Sequence, residues 1–443
     1  MARPVRESFL ESLEDQFDFS AGTMKDMVKA FHQEMEQGLA GKASSLRMLP
    51  AFVDCASGKE KGRFIALDFG GTNFRVLQVK LERGKAALEH SSKYVIPGAV
   101  VRGTGEQLFN FIAQSMKRFL DENQIELSDK RKLGFTFSFP MKQSSIATGI
   151  LINWTKGFSA TGVVGSNVVD LLDAALARYG LNNIDISALA NDTVGTLAAK
   201  SYEDPASDVG IIFGTGTNAC YREKRSRIKG VKTPYRGDYM IINTEWGNFD
   251  RLPMNDYDGK LDKATNNPGK QRMEKMISGM YLGEIARLVL SDMIKKKCLF
   301  SDGKVKFSRG SFKTRHMSLI ESDESKGLMK IEGYLEGIGI VDTTLLERET
   351  LKNACRLVSR RAARISAAAI SSVVTWMDPK LKKDHSIAID GTLYEKYPRF
   401  RRSILQALKE LHGDVSKRIK LTQAKDGSGI GVAIVAAVAA SKK

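Results

Sequence analysis

Asp68-Phe69-Gly70-Gly71-Thr72-Asn73 brings together residue types that suit a bound phosphate. Paired glycines let backbone N–H groups approach an oxyanion closely, and Thr and Asn add side-chain donors. A carboxylate such as Asp68, at a strand end, can orient Mg²⁺ directly or through water. Arg75, two residues past the turn, has the length to reach a phosphate. The same residues also suit a plain hairpin turn. Gly214-Thr215-Gly216-Thr217-Asn218 offers the same chemistry about 145 residues later. Two such turns, each behind an apolar strand, favour phosphate binding over two unrelated hairpins. No Gly-x-x-x-x-Gly-Lys-Ser/Thr run is present, which excludes a P-loop. No Gly-x-Gly-x-x-Gly with a trailing acid follows either turn, which argues against a dinucleotide fold.

Asn191-Asp192-Thr193 lies between the short apolar run SALA and VGTLAAK. At a strand-to-helix junction beside a cleft, Asp192 is a candidate general base. The same trio suits a helix cap, and pattern alone favours the cap. Asn243-Thr244-Glu245-Trp246-Gly247, Glu274 and Asn153-Trp154-Thr155-Lys156-Gly157 add carboxylates, amides, a hydroxyl and an ammonium group. Taken singly, each fits exposed surface. Together they are the mixture a sugar site needs: Asp and Glu accept from hydroxyls, Asn does both, and Lys donates. A site that bonds every hydroxyl rejects analogues that leave its polar groups unpaired.

The elements that must hold these residues follow from hydrophobic spacing. Residues 5–40 read as helix, with Phe9, Leu13 and Phe17 and then Met24, Met27 and Phe31 at helical intervals. From 64 to 81 the pattern is strand, turn, strand, and the nearly all-apolar FIALDF suits a strand covered on both faces. Helices are expected over 106–123 and 163–179, with a strand over 132–139 between them. VGIIF at 209–213 runs into the second turn and continues as ACYRE. Helical patterns then cover 269–297 and 344–376. SIAIDG at 386–391 reads as a strand, a helix begins near Pro398, and a Gly-rich turn opens a C-terminal helix. Two copies of one strand–turn–strand unit suggest two related α/β halves facing a cleft.

The 443 residues, 42% apolar and 27% charged, have an ordinary globular balance. Lys and Arg outnumber Asp and Glu by 68 to 51, giving +17, which favours anionic partners without choosing among them. Nucleic acid is not expected, because no recognisable motif or aromatic-basic stripe accompanies the charge. No run of about 18 uncharged apolar residues appears, so no membrane span is expected. The four cysteines and five histidines are scattered, which speaks against a disulfide framework, a zinc site or a His-centred triad. The N-terminus lacks the apolar core of a secretory signal, so a cytoplasmic location is the expectation.

LDFGGTNFRV, LGFTFSFP, NWTKGF, NDTVGTL, GTGTNACY, INTEWGNF, NPGKQ, SGMYLGE and DGSG resemble the hexokinase family, in the same order and at familiar spacing. The resemblance runs from about Met48 to the C-terminus and implies an α/β, two-domain actin-like ATPase (ribonuclease H-like) fold with a central cleft. The small domain would hold 54–192 and 426–443, the large one 1–53 and 193–425. The implied reaction moves the γ-phosphoryl group of Mg·ATP to the 6-hydroxyl of glucose or a related hexose, releasing ADP. A sugar sensor that keeps the fold without the chemistry is the alternative. The chain would act as a monomer or homodimer.

Residue by residue, the resemblance implies that Ser138, Thr155 and Lys156 bind the sugar from the small domain. Asn191, Asn218, Glu245 and Glu274 would bind its hydroxyls from the other side. Asp192 would take the proton from the 6-hydroxyl, with Lys156 and Arg75 offsetting developing charge. Asp68, Gly70, Gly71, Thr72, Asn73 and Arg75 would form the first phosphate segment, and Gly214, Thr215, Gly216 and Thr217 the second. Thr314 and Ser318 match positions near the nucleotide, and Asp390, Gly391 and Thr392 match its adenosine segment. Asp68 and Asp192 would hold Mg²⁺ through water. Two departures stand out: Ile430 replaces the family's common Lys, and 222–232 is strongly basic directly after the second turn. That segment could alter nucleotide affinity, and it could equally be an exposed hairpin with no role.

Overall fold

The structure, a computed structural model, describes residues 3–71, 73–126, 130–155, 157–231, 233–300, 305–424 and 427–441. Thr72 and Lys156, and Asp426 of the DGSG motif, lie outside the described residues. The described strands are β1 Leu49–Pro50, β2 Gly62–Phe69, β3 Asn73–Glu82, β4 Lys85–Val95, β5 Arg131–Phe137, β6 Met141–Ser145 and β7 Thr148–Leu151. They continue with β8 Ile184–Ala190, β9 Ser207–Phe213, β10 Thr217–Lys224, β11 Tyr239–Asn243, β12 His385–Asp390 and β13 Ile419–Gln423.

Two sheets carry the fold. One runs β4-β3-β2-β5-β8 and the other β1-β11-β10-β9-β12-β13. Without β1, both share one plan. The first three strands form an antiparallel ribbon, and the fourth and fifth join parallel on the other side of the first. The likeness read from two short turns therefore extends to whole halves. Each turn joins the first and second strands of its half. The buried runs Phe64–Leu67 and Leu133–Phe137 hold the centre of the smaller sheet, as continuous apolar strands should. β4 escapes sequence reading because it is an edge strand, mostly exposed and rich in Lys, Ser and His. Arg83 and Gly84, both at positive φ, close its two-residue hairpin with β3.

A helix follows the last strand of each half: Asp192–Glu203 after β8 and Gly427–Ser441 after β13. The two helices pack on each other in an apolar layer that also draws on β2, β3, β10 and β11. Their approach is close enough to require glycine. A Cβ on Gly431 would lie 1.8 Å from the Gly195 carbonyl oxygen. The C-terminal helix presses equally on the smaller sheet, where a Cβ on Gly134 would lie 2.1 Å from the Val432 carbonyl oxygen.

The larger sheet packs against the N-terminal helices and the 33-residue helix Leu345–Met377. Ala and Ser let that helix be covered on many sides, and buried hydroxyls such as Ser366 return to the helix, here to Ala362 O at 2.8 Å. Three expected helices are shorter than the spacing suggested: 269–297 holds two, Arg272–Ile277 and Leu282–Lys295. The run 5–40 is two helices, Arg3–Phe17 and Ala21–Leu39, because Ser20 caps the second through Thr23 N at 3.1 Å. The helix expected over 163–179 spans Val168–Arg178, because Asn167 is its cap and not an interior residue.

Candidate active site

The end of β8, the start of β10 and the end of β11 bring three asparagines and a glutamate together. Asn218 Nδ2 shares its hydrogens among Asn191 Oδ1 (3.3 Å), Asn243 Oδ1 (2.8 Å) and Glu245 Oε1 (3.2 Å). Asn243 Nδ2 also donates to Glu245 Oε1 at 2.9 Å. Asn191 and Asn243 are buried, whereas Asn218 and Glu245 are half-buried. Polar side chains in such a network are held in fixed orientations before any ligand arrives. Glu245 sits at φ 51° and ψ 44°, a left-handed conformation that costs a side-chain-bearing residue of order 1–3 kcal/mol. Its neighbour Trp246 holds it there, fully buried with Nε1 donating to Thr217 Oγ1 at 2.9 Å.

Glu274 belongs to the same neighbourhood. Its Oε2 accepts from Thr217 N at 3.0 Å. Gly216 makes room for it, since a Cβ there would lie 2.6 Å from Glu274 Oε2. Burial first, and then the Glu274 carboxylate, push the Tyr281 phenol up.

Asn191, not Asp192, caps the helix that follows β8, its Oδ1 accepting from Thr193 N at 3.1 Å and Thr193 Oγ1 at 2.9 Å. The capping alternative thus belongs to the neighbouring residue. Asp192 is half-buried in the first turn, at the end where a helix favours negative charge, and its Oδ1 accepts from Thr193 N at 2.9 Å.

Asp68 anchors the first turn. Arg75 Nη2 donates to its Oδ2 at 2.9 Å, and Ser428 Oγ, at the start of the C-terminal helix, donates to the same oxygen at 3.1 Å. Ser428 O in turn accepts from Thr136 Oγ1 of β5 at 3.1 Å. Gly427 packs on Thr196, whose hydroxyl donates to Asp192 O at 3.0 Å. The first turn, the C-terminal helix and the helix of Asp192 therefore converge.

Ser138 follows β5, and its hydroxyl lies against Gly70. Phe69, Phe137, Phe139, Trp154 and Phe158 form one aromatic cluster beneath it, with Phe69 stacked on Phe137 at 5.6 Å and Trp154 on Phe158 at 5.4 Å. That cluster also sets the loop carrying Thr155, which is half-buried. Gly71 is half-buried and Asn73 exposed beside it.

On the other turn, Gly214 N bonds Gly216 O, and Thr215 is exposed at the tip. Gly279 N donates to Gly214 O (2.9 Å) and Met280 N to Thr215 O (3.1 Å). Thr314 supports this segment, because its hydroxyl donates to Gly279 O at 2.6 Å and accepts from Gly283 N at 2.9 Å. Ser318 lies one turn further along the same helix, half-buried. Gly391 sits against Gly214, with Asp390 Oδ1 accepting its N–H at 2.6 Å and Thr392 opening a short helix.

Sequence reasoning passed over Asn243 and Ser428 as site residues, although both lie inside motifs it singled out. Asn243 had a usable signal, a polar side chain ending a buried strand. Nothing in the sequence showed that Ser428 would meet Asp68, 360 positions away. The thiols offer no rival chemistry there: burial pushes Cys55 up to about 12, and Cys220, which donates to Thr193 O, is raised by burial too.

The basic segment lies elsewhere. Its exposed part begins at Lys224, the far end of β10 from the second Gly/Thr turn and roughly 23 Å from Thr217 at about 3.3 Å per residue. Arg222 is bidentate on Asp54 (2.6 and 2.9 Å), and Arg225 Nη1 donates to Ile228 O at 2.8 Å. Ile430 packs into the apolar layer between the halves. At this distance, screened over roughly 10 Å at 0.1 M salt, the segment cannot steer the nucleotide strongly. Replacing Lys224, Arg225 and Arg227 together by Ser should leave the KM for ATP within about twofold at 0.1 M salt. A rise that fades as salt is added would restore the steering role.

Two halves of one strand plan, each opening on a Gly/Thr turn and joined by a pair of helices, define an actin-like ATPase fold. The hexokinase family profiles match residues 9–202 and 208–438. Hexokinase-2 of Oryza sativa subsp. japonica is 41% identical over 454 residues, covering 97% of this chain and 91% of that one. Hexokinase-1 of Homo sapiens is 41% identical over 440 residues, covering 95% of this chain but 47% of its own length, so this chain spans about half of it. The structure of the hexokinase from Schistosoma mansoni complexed with glucose superposes with a TM-score of 0.87 at 34% identity, covering 98% of this chain and 99% of that one. The chain belongs to the hexokinase family. No helix among the described residues is long and apolar enough to cross a membrane.

Proposed function

We propose that the chain transfers the γ-phosphoryl group of ATP to the 6-hydroxyl of glucose or a related hexose. The observation that carries this reading is the Asn191–Asn218–Asn243–Glu245 network, set beside Asp192 and next to the second Gly/Thr turn, which Glu274 also bonds through Thr217 N. Asn and Glu there bond sugar hydroxyls, and Asp192 accepts the 6-hydroxyl proton as the oxygen attacks phosphorus. Ser138, Thr155 and Lys156 hold the sugar from the side of the smaller sheet. Asp68, Gly70, Gly71, Thr72, Asn73 and Arg75 face the transferring phosphate, and 214–217 with 391–392 the rest of the nucleotide. Catalysis here is mostly positioning and charge stabilisation.

Among the described residues no cluster of three or more His, Cys, Asp or Glu is arranged to hold a metal. Mg²⁺ keeps several waters and is bound through one or two carboxylates with substrate phosphates, which suits the donor set that Asp68 and Asp192 offer. Asp68, already paired with Arg75, and Asp192 would reach it through those waters. When bound, Mg²⁺ neutralises charge on the phosphates. A sugar sensor without chemistry would have lost the base or a turn, and the sequence keeps both.

The small unit of this proposal is 54–192 with 426–443, the large one 1–53 with 193–425. Residues 54–56 bond to Arg222, Ser207 and Ser201, contacts that support a boundary nearer 57. Sugar bonded from both sides favours a closed cleft, which excludes water from the phosphate. D-xylose keeps the bridging ring hydroxyls but lacks the hydroxymethyl group. It should therefore raise ATP hydrolysis above the sugar-free rate, with water in the vacated space. A coupled assay over glucose, mannose, fructose and xylose tests both points. ATP turnover on none of the hexoses would remove the kinase reading. Equal ATPase rates with and without xylose would remove only the closure.

A further inference from the structure

The basic turn that catalysis leaves without a task walls a cavity of about 700 Å³. The other walls are the C-terminal ends of the helices Ala21–Leu39 and Leu345–Met377. That volume lies within the roughly 300–1,000 Å³ of small-molecule sites. Lys42, Arg227 and Lys229 line it with Trp376, Thr375 and Ser226, and Glu36 is the one carboxylate among its lining residues.

Converging helix C-termini would oppose an anion, but their carbonyls are already engaged. Leu39 O accepts from Lys229 N and Gly230 N, both at 2.9 Å, and Trp376 O from Arg227 Nη1 at 3.3 Å. Arg227 also lies over the Trp376 ring at 5.6 Å, and Glu223 balances its charge from 3.7 Å. Glu223 in turn accepts from Trp376 Nε1 at 2.6 Å, so the indole is fixed from two directions. His32 Nε2 lies 2.8 Å from Ser372 O, and burial lowers its pKa, so the ring adds a neutral wall.

Lys42 and Lys229 have no such task. Both are exposed, and among the described residues neither has an acidic partner. They extend from turns in contact, for a Cβ on Gly230 would lie 2.9 Å from Gly41 Cα. Two unpaired ammonium groups beside a fixed indole and hydroxyls suit a ligand with an anionic head and an uncharged polar body. We propose that this cavity binds a small phosphorylated metabolite, its phosphate between Lys42 and Lys229 and its body against Trp376, apart from the catalytic cleft.

The test is a calorimetric titration of the full chain with ribose 5-phosphate, after glucose and a non-hydrolysable ATP analogue have filled the cleft. One saturable site is expected. The double variant Lys42→Ser/Lys229→Ser should weaken it about tenfold or more, because charge-assisted bonds are lost. Its kcat for glucose should stay within twofold, which reports that the protein is folded. No saturable binding, or equal affinity in the double variant, would overturn the proposal. So would binding of a short DNA duplex that the same substitutions weaken while ribose 5-phosphate does not bind. Failure of glucose and nucleotide to bind would count against the kinase reading alone, since the two proteins can still be compared with the cleft empty.

Discussion

Asp192→Ala is expected to lower kcat for glucose by about 10²–10⁴-fold, the usual contribution of a positioned general base. The structure sharpens this expectation, because Asn191 caps the helix and Asp192 does not. Removing the carboxylate leaves the cap bonds from Asn191 Oδ1 to Thr193 in place. The variant should therefore remain folded, with an unchanged far-ultraviolet spectrum. Sugar affinity should fall as well, because the carboxylate accepts a hydroxyl hydrogen bond in the proposed complex. Asn191→Ala is the companion: it loses a cap worth about 1 kcal/mol and one acceptor of the Asn218 network. A kcat within a few-fold of wild type in Asp192→Ala would end the base assignment. Unfolding of that variant alone would make the residue structural.

Gly431→Ala should be the most destabilising single methyl group that can be added to this chain's helices. Its Cβ would fall 1.8 Å from the Gly195 carbonyl oxygen, and that obstacle is backbone, not a side chain that can rotate away. Overpacking typically costs about 1–3 kcal/mol, and the absence of any easy relaxation puts this case at about 3 kcal/mol or more. The same change pushes apart the two helices between the halves, so kcat and the sugar KM should both worsen. Gly333→Ala is the control. It lies in the helix Met329–Gly337, where an added Cβ meets nothing within 4 Å, and it should be neutral or slightly stabilising. Equal denaturation midpoints for the two variants would show that the helix pair has room to spare.

The parts of the fold that could be read in advance are those whose residues declare themselves locally. FIALDF and VGIIF are apolar runs ended by Gly/Thr turns, and both are first strands of their halves. The long helix 345–377 was readable from its Ala-rich periodicity to within a residue at each end. β4 was not, because an exposed edge strand needs no apolar pattern. The break at Ser20 was missed because helical spacing continues through it, and only the cap marks the stop. Among site residues, Asn218, Glu245 and Glu274 stood in recognisable motifs, and the structure sets them in one neighbourhood. Their partners were not legible. Ser428 reaches Asp68 only because two helices pack at glycine distance, a tertiary fact without a local signature. The place of the basic segment was not legible for a related reason. Adjacency in sequence to the phosphate turn becomes separation in space when a strand lies between them.

The central claim is that this site places phosphate on the 6-oxygen of a hexose. Incubating the protein with glucose, ATP and Mg²⁺ and recording a proton–phosphorus correlation spectrum of the product tests it directly. The expected result is a phosphorus signal coupled to the two C6 methylene protons, formed by the wild type and lost in Asp192→Ala. Phosphorus coupled to the anomeric proton, or no sugar ester from a protein that still binds glucose and ATP, would contradict it.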